Sequence, residues 1–141
     1  MVFVVSINKN NEVKNRMKKK NLKLSKLKIL IEGLNQTLQL DIESTNSLRI
    51  SRLLLKLSEE NGLFNKERVK LCEKYAKKDE NGKSVADETQ NYVMEDLASF
   101  NTEFENLQNE ETEIEFKPII VEKLPKIKPY VLLLIDDLLD E

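Results

Sequence analysis

The 141-residue chain is 34% charged and 40% apolar with a net charge of −2, enough apolar material for one modest core. It contains no His, no Trp and one cysteine, Cys72, which excludes Ser-His-Asp and Cys-His nucleophile systems, His-liganded zinc and an internal disulfide. Three Gly and three Pro leave long unpunctuated stretches, so helices are favoured over many short strands.

Met1-Val2-Phe3-Val4-Val5 is apolar but shorter than a signal-peptide core, and it reads as a loose arm or short strand. Met17 offers an alternative start. Between Lys9 and Lys28 stand nine Lys or Arg against the single acid Glu12. The Asn-rich first half has no sustained period, so residues 1–22 are expected to form a flexible basic arm ahead of one domain, 23–141.

A first helix is expected over 24–40, with Leu27, Leu30, Ile31, Leu34 and Leu38 on one face. Gly33 within it weakens the helix but permits a neighbour to approach closely. Asp41 to Ser47 reads as a connector rich in capping side chains. The second helix is expected over 46–77. Ile50, Leu57, Phe64 and Leu71 are seven apart, the spacing of a slightly supercoiled seam. Cys72 falls among apolar neighbours and reads as a buried thiol. Asn61-Gly62 implies a bend or local weakening rather than a stop.

Asp79-Glu80-Asn81-Gly82-Lys83 is the strongest turn signal, and its Asn-Gly suits a type I′ reversal. A third helix is expected over 87–110, where Val93, Leu97, Phe100, Phe104 and Leu107 keep the helical period. Two helices joined by a short reversal should lie antiparallel. Glu113-Ile114-Glu115-Phe116 then alternates, and Pro118 points the extended segment to a sheet edge. Pro129 can open a last helix over 129–139, whose leucines must dock on the hairpin or on another chain.

Sites of chemistry are scarce. Asp79 and Gly82 do not have the spacing of a calcium loop, and no glycine-rich phosphate loop exists. From Asp87 to Glu115 there are ten acids and no Lys or Arg, which reads as a solvated acidic face. No catalytic residue, cofactor or metal is expected. The candidate basic patch is Lys14, Arg16, Lys18, Lys19, Lys20 and Lys23, but no aromatic residue lies near it for base stacking. The basic beginning and the acidic third helix could attract each other within a chain or between copies. The candidate protein interface is Leu132, Leu133, Ile135, Leu138 and Leu139 at the apolar end. No segment approaches the ~18–20 apolar residues of a membrane span, so no membrane partner is expected.

An ordered series of segments carries a resemblance. Leu24-Ser25-Lys26-Leu27 is followed by Ile50-Ser51-Arg52-Leu53-Leu54-Leu55-Lys56-Leu57, Glu73-Lys74-Tyr75 and the Asp79–Lys83 turn. Phe100-Asn101-Thr102-Glu103-Phe104, Glu113-Ile114-Glu115-Phe116-Lys117-Pro118-Ile119 and the leucine-rich acidic end complete it. From Leu24 onward the chain resembles an uncharacterised group of small proteins of tailed bacteriophages; the segment before Met17 departs from that pattern. The resemblance implies a phage structural or accessory module, acting in the virion or the host cytoplasm, and carries over no catalytic residue.

The expectation is therefore a mainly α fold: an antiparallel helical hairpin, an additional N-terminal helix, a short extended segment and a C-terminal helix. The function expected is that of a non-enzymatic phage-type structural or assembly protein. Its partners would be other phage proteins or further copies of itself. The alternatives are a small regulator or inhibitor binding a host protein, and a nucleic-acid accessory protein using the basic arm.

Overall fold

The computed structural model describes residues 16–140. It is mainly helical with one two-stranded antiparallel sheet. In chain order come strand β1 (Lys18–Lys23), helix α1 (Leu27–Leu38), helix α2 (Ser44–Tyr75), helix α3 (Leu97–Asn109), strand β2 (Glu111–Phe116) and helix α4 (Pro129–Leu134). Single 3-10 turns occupy Leu24–Lys26, Val121–Lys123 and Asp136–Leu138.

The expected flexible arm over 1–22 is corrected where it is described, because Lys18–Lys23 is a paired strand. Residues 1–15, Lys14 among them, lie outside the described residues. Lysine and asparagine have little intrinsic preference for strands, so the cause lies across the ladder. Lys19 stands opposite Glu115, Asn21 opposite Glu113 and Lys23 opposite Glu111. Opposite charges directly across a ladder each contribute roughly 0.2–1 kcal/mol. On the other face Leu22, Ile114 and Phe116 are buried, and the half-buried Lys18 and Lys20 lie on the same side. Lys20 reaches Asp137 at 3.1 Å.

α1 starts at Leu27 rather than 24, because the Leu24 amide donates to the Glu110 carbonyl at 2.9 Å and ties the turn to the foot of α3. It ends at Leu38, where the Gln39 and Leu40 amides close tighter turns on the Gln36 and Thr37 carbonyls. α2 runs unbroken through Asn61-Gly62. It also starts earlier than expected, so Ser44, Thr45 and Asn46 lie inside the helix and do not cap it. Asn46 has another use. Fully buried, its Nδ2 donates to the Ile120 carbonyl at 3.0 Å and its Oδ1 accepts from the Ile120 amide at 2.9 Å. Three residues on, the buried Arg49 donates to the Pro118 carbonyl at 2.9 Å.

These bonds pin the segment after β2 onto the first turns of α2. Pro118 therefore lies beyond the ladder, which ends at Phe116. Pro129 does open α4, but that helix stops at Leu134 instead of 139. The chain leaves it to lay Leu139 beside Ile119, with the Ile119 amide donating to Leu138 and the Asp140 amide donating to Ile119. α4 crosses α1 at Gly33, where a Cβ would stand 2.6 Å from Ile135 Cγ2 and 3.0 Å from Leu134 Cβ. The close approach anticipated for that glycine is thus made by the C-terminal segment.

The core comprises Leu22 from β1, Leu27, Leu30 and Leu34 from α1, and Ile50, Leu53 and Leu57 from α2. Ile114 and Phe116 from β2, with Ile119, Ile135 and Leu138 beyond it, complete the cluster.

Two substitutions test this packing. Gly33→Ala gains about 1 kcal/mol of helix propensity, but overpacking against Ile135 costs about 1–3 kcal/mol. Urea denaturation should show a net loss of stability, and a gain would contradict the contact. Asn46→Ala strands both backbone groups of Ile120 and should cost about 2–4 kcal/mol in the same assay.

Candidate functional site

α2 has 32 residues and so is ~48 Å long. Its core residues end at Leu57. From Ser58 to Tyr75 its packing partner is α3, and the two run antiparallel as expected. Phe64 stacks on Phe104 at 6.2 Å and Phe104 on Phe100 at 5.6 Å. Phe64, Leu71 and Tyr75 are half-buried, as are Phe100, Phe104 and Leu107. Cys72 is buried, as the pattern implied, but no residue of α3 is. Beyond the core the molecule is therefore a two-helix ribbon whose seam stays partly wet.

The ribbon ends in a three-armed tip, whose first arm is the tight reversal or tiny hairpin expected at Asp79–Lys83 and whose second was not foreseen. The third helix, expected from 87, begins at Leu97. Residues 76–96 instead form two short arms, each closed by a three-residue loop between paired ends, Asp79 and Lys83 in one and Asp87 and Asn91 in the other. In the first, the Asp79 amide donates to Lys83 and the Gly82 amide to Asp79, while the Asp79 carboxylate accepts from the Asn81 and Lys83 amides. The second, eight residues on, repeats this: the Asp87 amide donates to Asn91 and the Gln90 amide to Asp87, and the Asp87 carboxylate accepts from Thr89 and Asn91. Gln90 takes a positive φ of 68° where the first loop has Gly82 at 78°. Asn81 does not, so the reversal is a three-residue loop closed by a left-handed residue and not type I′.

Between the arms three backbone bonds close a ring. The Lys77 amide donates to Val93 at 2.7 Å, Val93 to Val85 at 2.9 Å and Val85 to Lys77 at 2.8 Å. The helix pair enters as the third arm, through the Glu95 amide donating to Tyr75 at 2.8 Å. Asp96 then caps α3 by accepting from the Ser99 amide at 3.1 Å.

Just below the tip, Glu103 accepts from Lys74 at 2.9 Å and from the Tyr75 hydroxyl. The Tyr75 bond, followed by that of Lys74, holds the Glu103 carboxyl below its usual range. In return Glu103 raises both the Tyr75 phenol and the Lys74 ammonium. Asp87 and Asp96 are also lowered, chiefly by their Thr89 and Ser99 hydrogen bonds.

The candidate interface residues are divided. Ile135 and Leu138 are fully buried core, Leu132 and Leu139 are half-buried, and Leu133 is 77% exposed. The five do not form one surface. Of the candidate basic patch, Arg16 is exposed, Lys19 and Lys23 face acids across the ladder, and Lys20 pairs with Asp137. Lys18 donates to the Leu139 carbonyl. The acidic counterpart of the basic segment is thus β2 together with Asp137, within the chain, and not the third helix that was expected to attract it.

Further exposed apolar side chains lie along α2 and at the start of α3. Leu48 is 50% exposed, Leu55 73%, Leu63 52%, Val69 37% and Leu97 56%. Leu48, Leu55, Gly62 and Val69 are seven apart, two residues before the inward series Ile50, Leu57, Phe64 and Leu71, and so roughly 200° around the helix from it. That second period was the available signal, and the stronger inward stripe masked it. Between α2 and α3 an open groove of about 410 Å3 is lined by Glu67, Leu71, Glu103, Asn106, Leu107 and Glu110. Among the described residues no group of three His, Cys, Asp or Glu is placed to hold a metal ion. No helix among them is long and apolar enough to cross a membrane.

Because the folded-state pKa of Glu103 is depressed, its contribution is complete above the usual carboxylate range and lost as pH falls through the lower, folded value. Protection factors for amide exchange over 97–109, each taken against the intrinsic rate at the same pH, should therefore fall on acidification before those of α1 do. Glu103→Gln should remove that difference; an unchanged acid profile in the variant would refute the assignment. Comparison with protein-family models, curated proteins and solved structures finds no match to this chain.

Proposed function

We propose that this protein is a non-enzymatic structural or assembly component of the bacteriophage type, working through protein contacts in the virion or the host cytoplasm. One observation carries the reading. The helical ribbon beyond Leu57 keeps Leu63, Val69 and Leu97 in water while its own seam is only half-buried. Apolar side chains exposed along a projecting element are the usual mark of a surface that another protein covers. The ribbon offers length and a shaped tip, and its groove offers no enclosed chamber from which water could be shut out for chemistry.

The lysines of β1 favour this reading over nucleic-acid binding. A phosphate backbone needs a track of cations free to replace condensed counterions. Lys19 and Lys23 stand opposite acids, and Lys20 is engaged by Asp137.

The reading predicts that the chain is found by mass spectrometry in particles, or in assembly intermediates, purified from its source. Leu63→Asp together with Leu97→Asp should remove it from them while leaving the circular dichroism of the isolated chain unchanged. Absence of the unmodified chain from both fractions would overturn the proposal.

A further inference from the structure

Two of the three glycines have a cause within the chain. Gly33 admits Ile135, and Gly82 supplies a positive φ. Gly62 has neither. It sits mid-helix with no atom within 4 Å of where a Cβ would be. A glycine there weakens the helix relative to alanine, and no other described residue uses the space it leaves.

Its surroundings indicate what does. Gly62 is the midpoint between Leu55 and Val69 on the outward stripe, and a shallow groove of about 370 Å3 runs beside it, lined by Asn65, Lys66, Val69 and Lys70. On the side of the helix that carries Gly62, Glu59 precedes the glycine and Lys66 follows it, while Lys70 is engaged by Glu67. Glu59 and Lys66 have no ion-pair partner among the described residues. Such a face matches itself when turned end for end. With two copies crossing antiparallel at Gly62, Leu55 meets the partner's Val69 and Glu59 approaches the partner's Lys66. That reciprocity is the requirement of a two-fold interface, and a seven-residue period lets the seam persist along both helices.

We infer that the outward face of α2 is the docking surface for a second copy of this chain, laid antiparallel across Gly62. The inference rests on the reading of the protein as one that works by contact, and it names the first partner.

The test uses the full chain, by sedimentation equilibrium and native mass spectrometry over rising concentration. The unmodified chain should pass from monomer to dimer. Gly62→Arg should weaken dimerisation by at least about tenfold, since it sets two like charges and two bulky side chains at the crossing. Where both proteins are monomeric, the same variant should melt at a higher temperature, because the helix gains a better former. Opposite signs in the two readouts separate lost pairing from lost folding. In a Cys72→Ala background, chains with Leu55→Cys mixed with chains with Val69→Cys should oxidise to mixed dimers in preference to like pairs. A chain monomeric throughout, dimerisation indifferent to Gly62→Arg, or a preference for like pairs would overturn the antiparallel docking. A monomeric chain still recovered from particles would sink the self-pairing and leave the assembly reading standing.

Discussion

The architecture depends on a strand of lysines finding a strand of glutamates. β1 and β2 lie on either side of the three longest helices in chain order, and their register sets Lys19 against Glu115 and Lys23 against Glu111. Closing that ladder brings Leu22, Ile114 and Phe116 together over α1 and α2. It also places Leu24 against Glu110, so the ladder continues directly into the foot of α3. The closure must offset the entropy of joining segments about ninety residues apart, a cost that grows only slowly with loop length. A few charge pairs and three buried apolar side chains are of the right order to do so.

Once the ends are joined, α2 serves two environments along one helix. Its first turns are held by Asn46 and Arg49, whose bonds go to the backbone of 118–120 rather than to side chains. Backbone bonding fixes the path of that segment whatever side chains it carries, and the C-terminal residues lie along it through Ile119. Among the described residues the later turns of α2 pack chiefly on α3. The tip limits how far those two helices can splay, because Tyr75 and Glu95 are joined directly and the ring through Lys77, Val85 and Val93 stands next to that bond.

The parts that could be read from the sequence were those whose cause is local. The stripes of α1 and α2, the buried Cys72, Pro129 at the start of α4 and the reversal at Gly82 each follow from spacing or from one residue's backbone preference. β1 could not be read that way, since Lys18-Lys19-Lys20 looks solvated until Glu111, Glu113 and Glu115 are placed beside it. The second arm was hidden for another reason: Gln90 fills the position that glycine marks in the first loop, and Val93 continues the period of α3 by accident of spacing. The end of the chain showed the limit of composition. Leu132 to Leu139 was recognisably apolar, but which members reach the core depends on Gly33 opening α1 to Ile135. The outward stripe of α2 was present throughout as a period of seven, overshadowed by the inward one.

The acids show why charge content alone is a poor guide to role. Ten Asp or Glu between Asp87 and Glu115, without one Lys or Arg, look like solubilising charge. In the fold Asp87 ties a loop, Asp96 caps a helix, Glu103 joins Lys74 and Tyr75 across the ribbon, and three glutamates line the outer face of β2. These residues are exposed or half-exposed, so each bond is weak singly and open to screening. They are nonetheless what shapes a ribbon with no core of its own. A hairpin shaped by many small surface bonds can hold its outline in water and still leave its leucines free. That combination suits a part made to be covered by another protein.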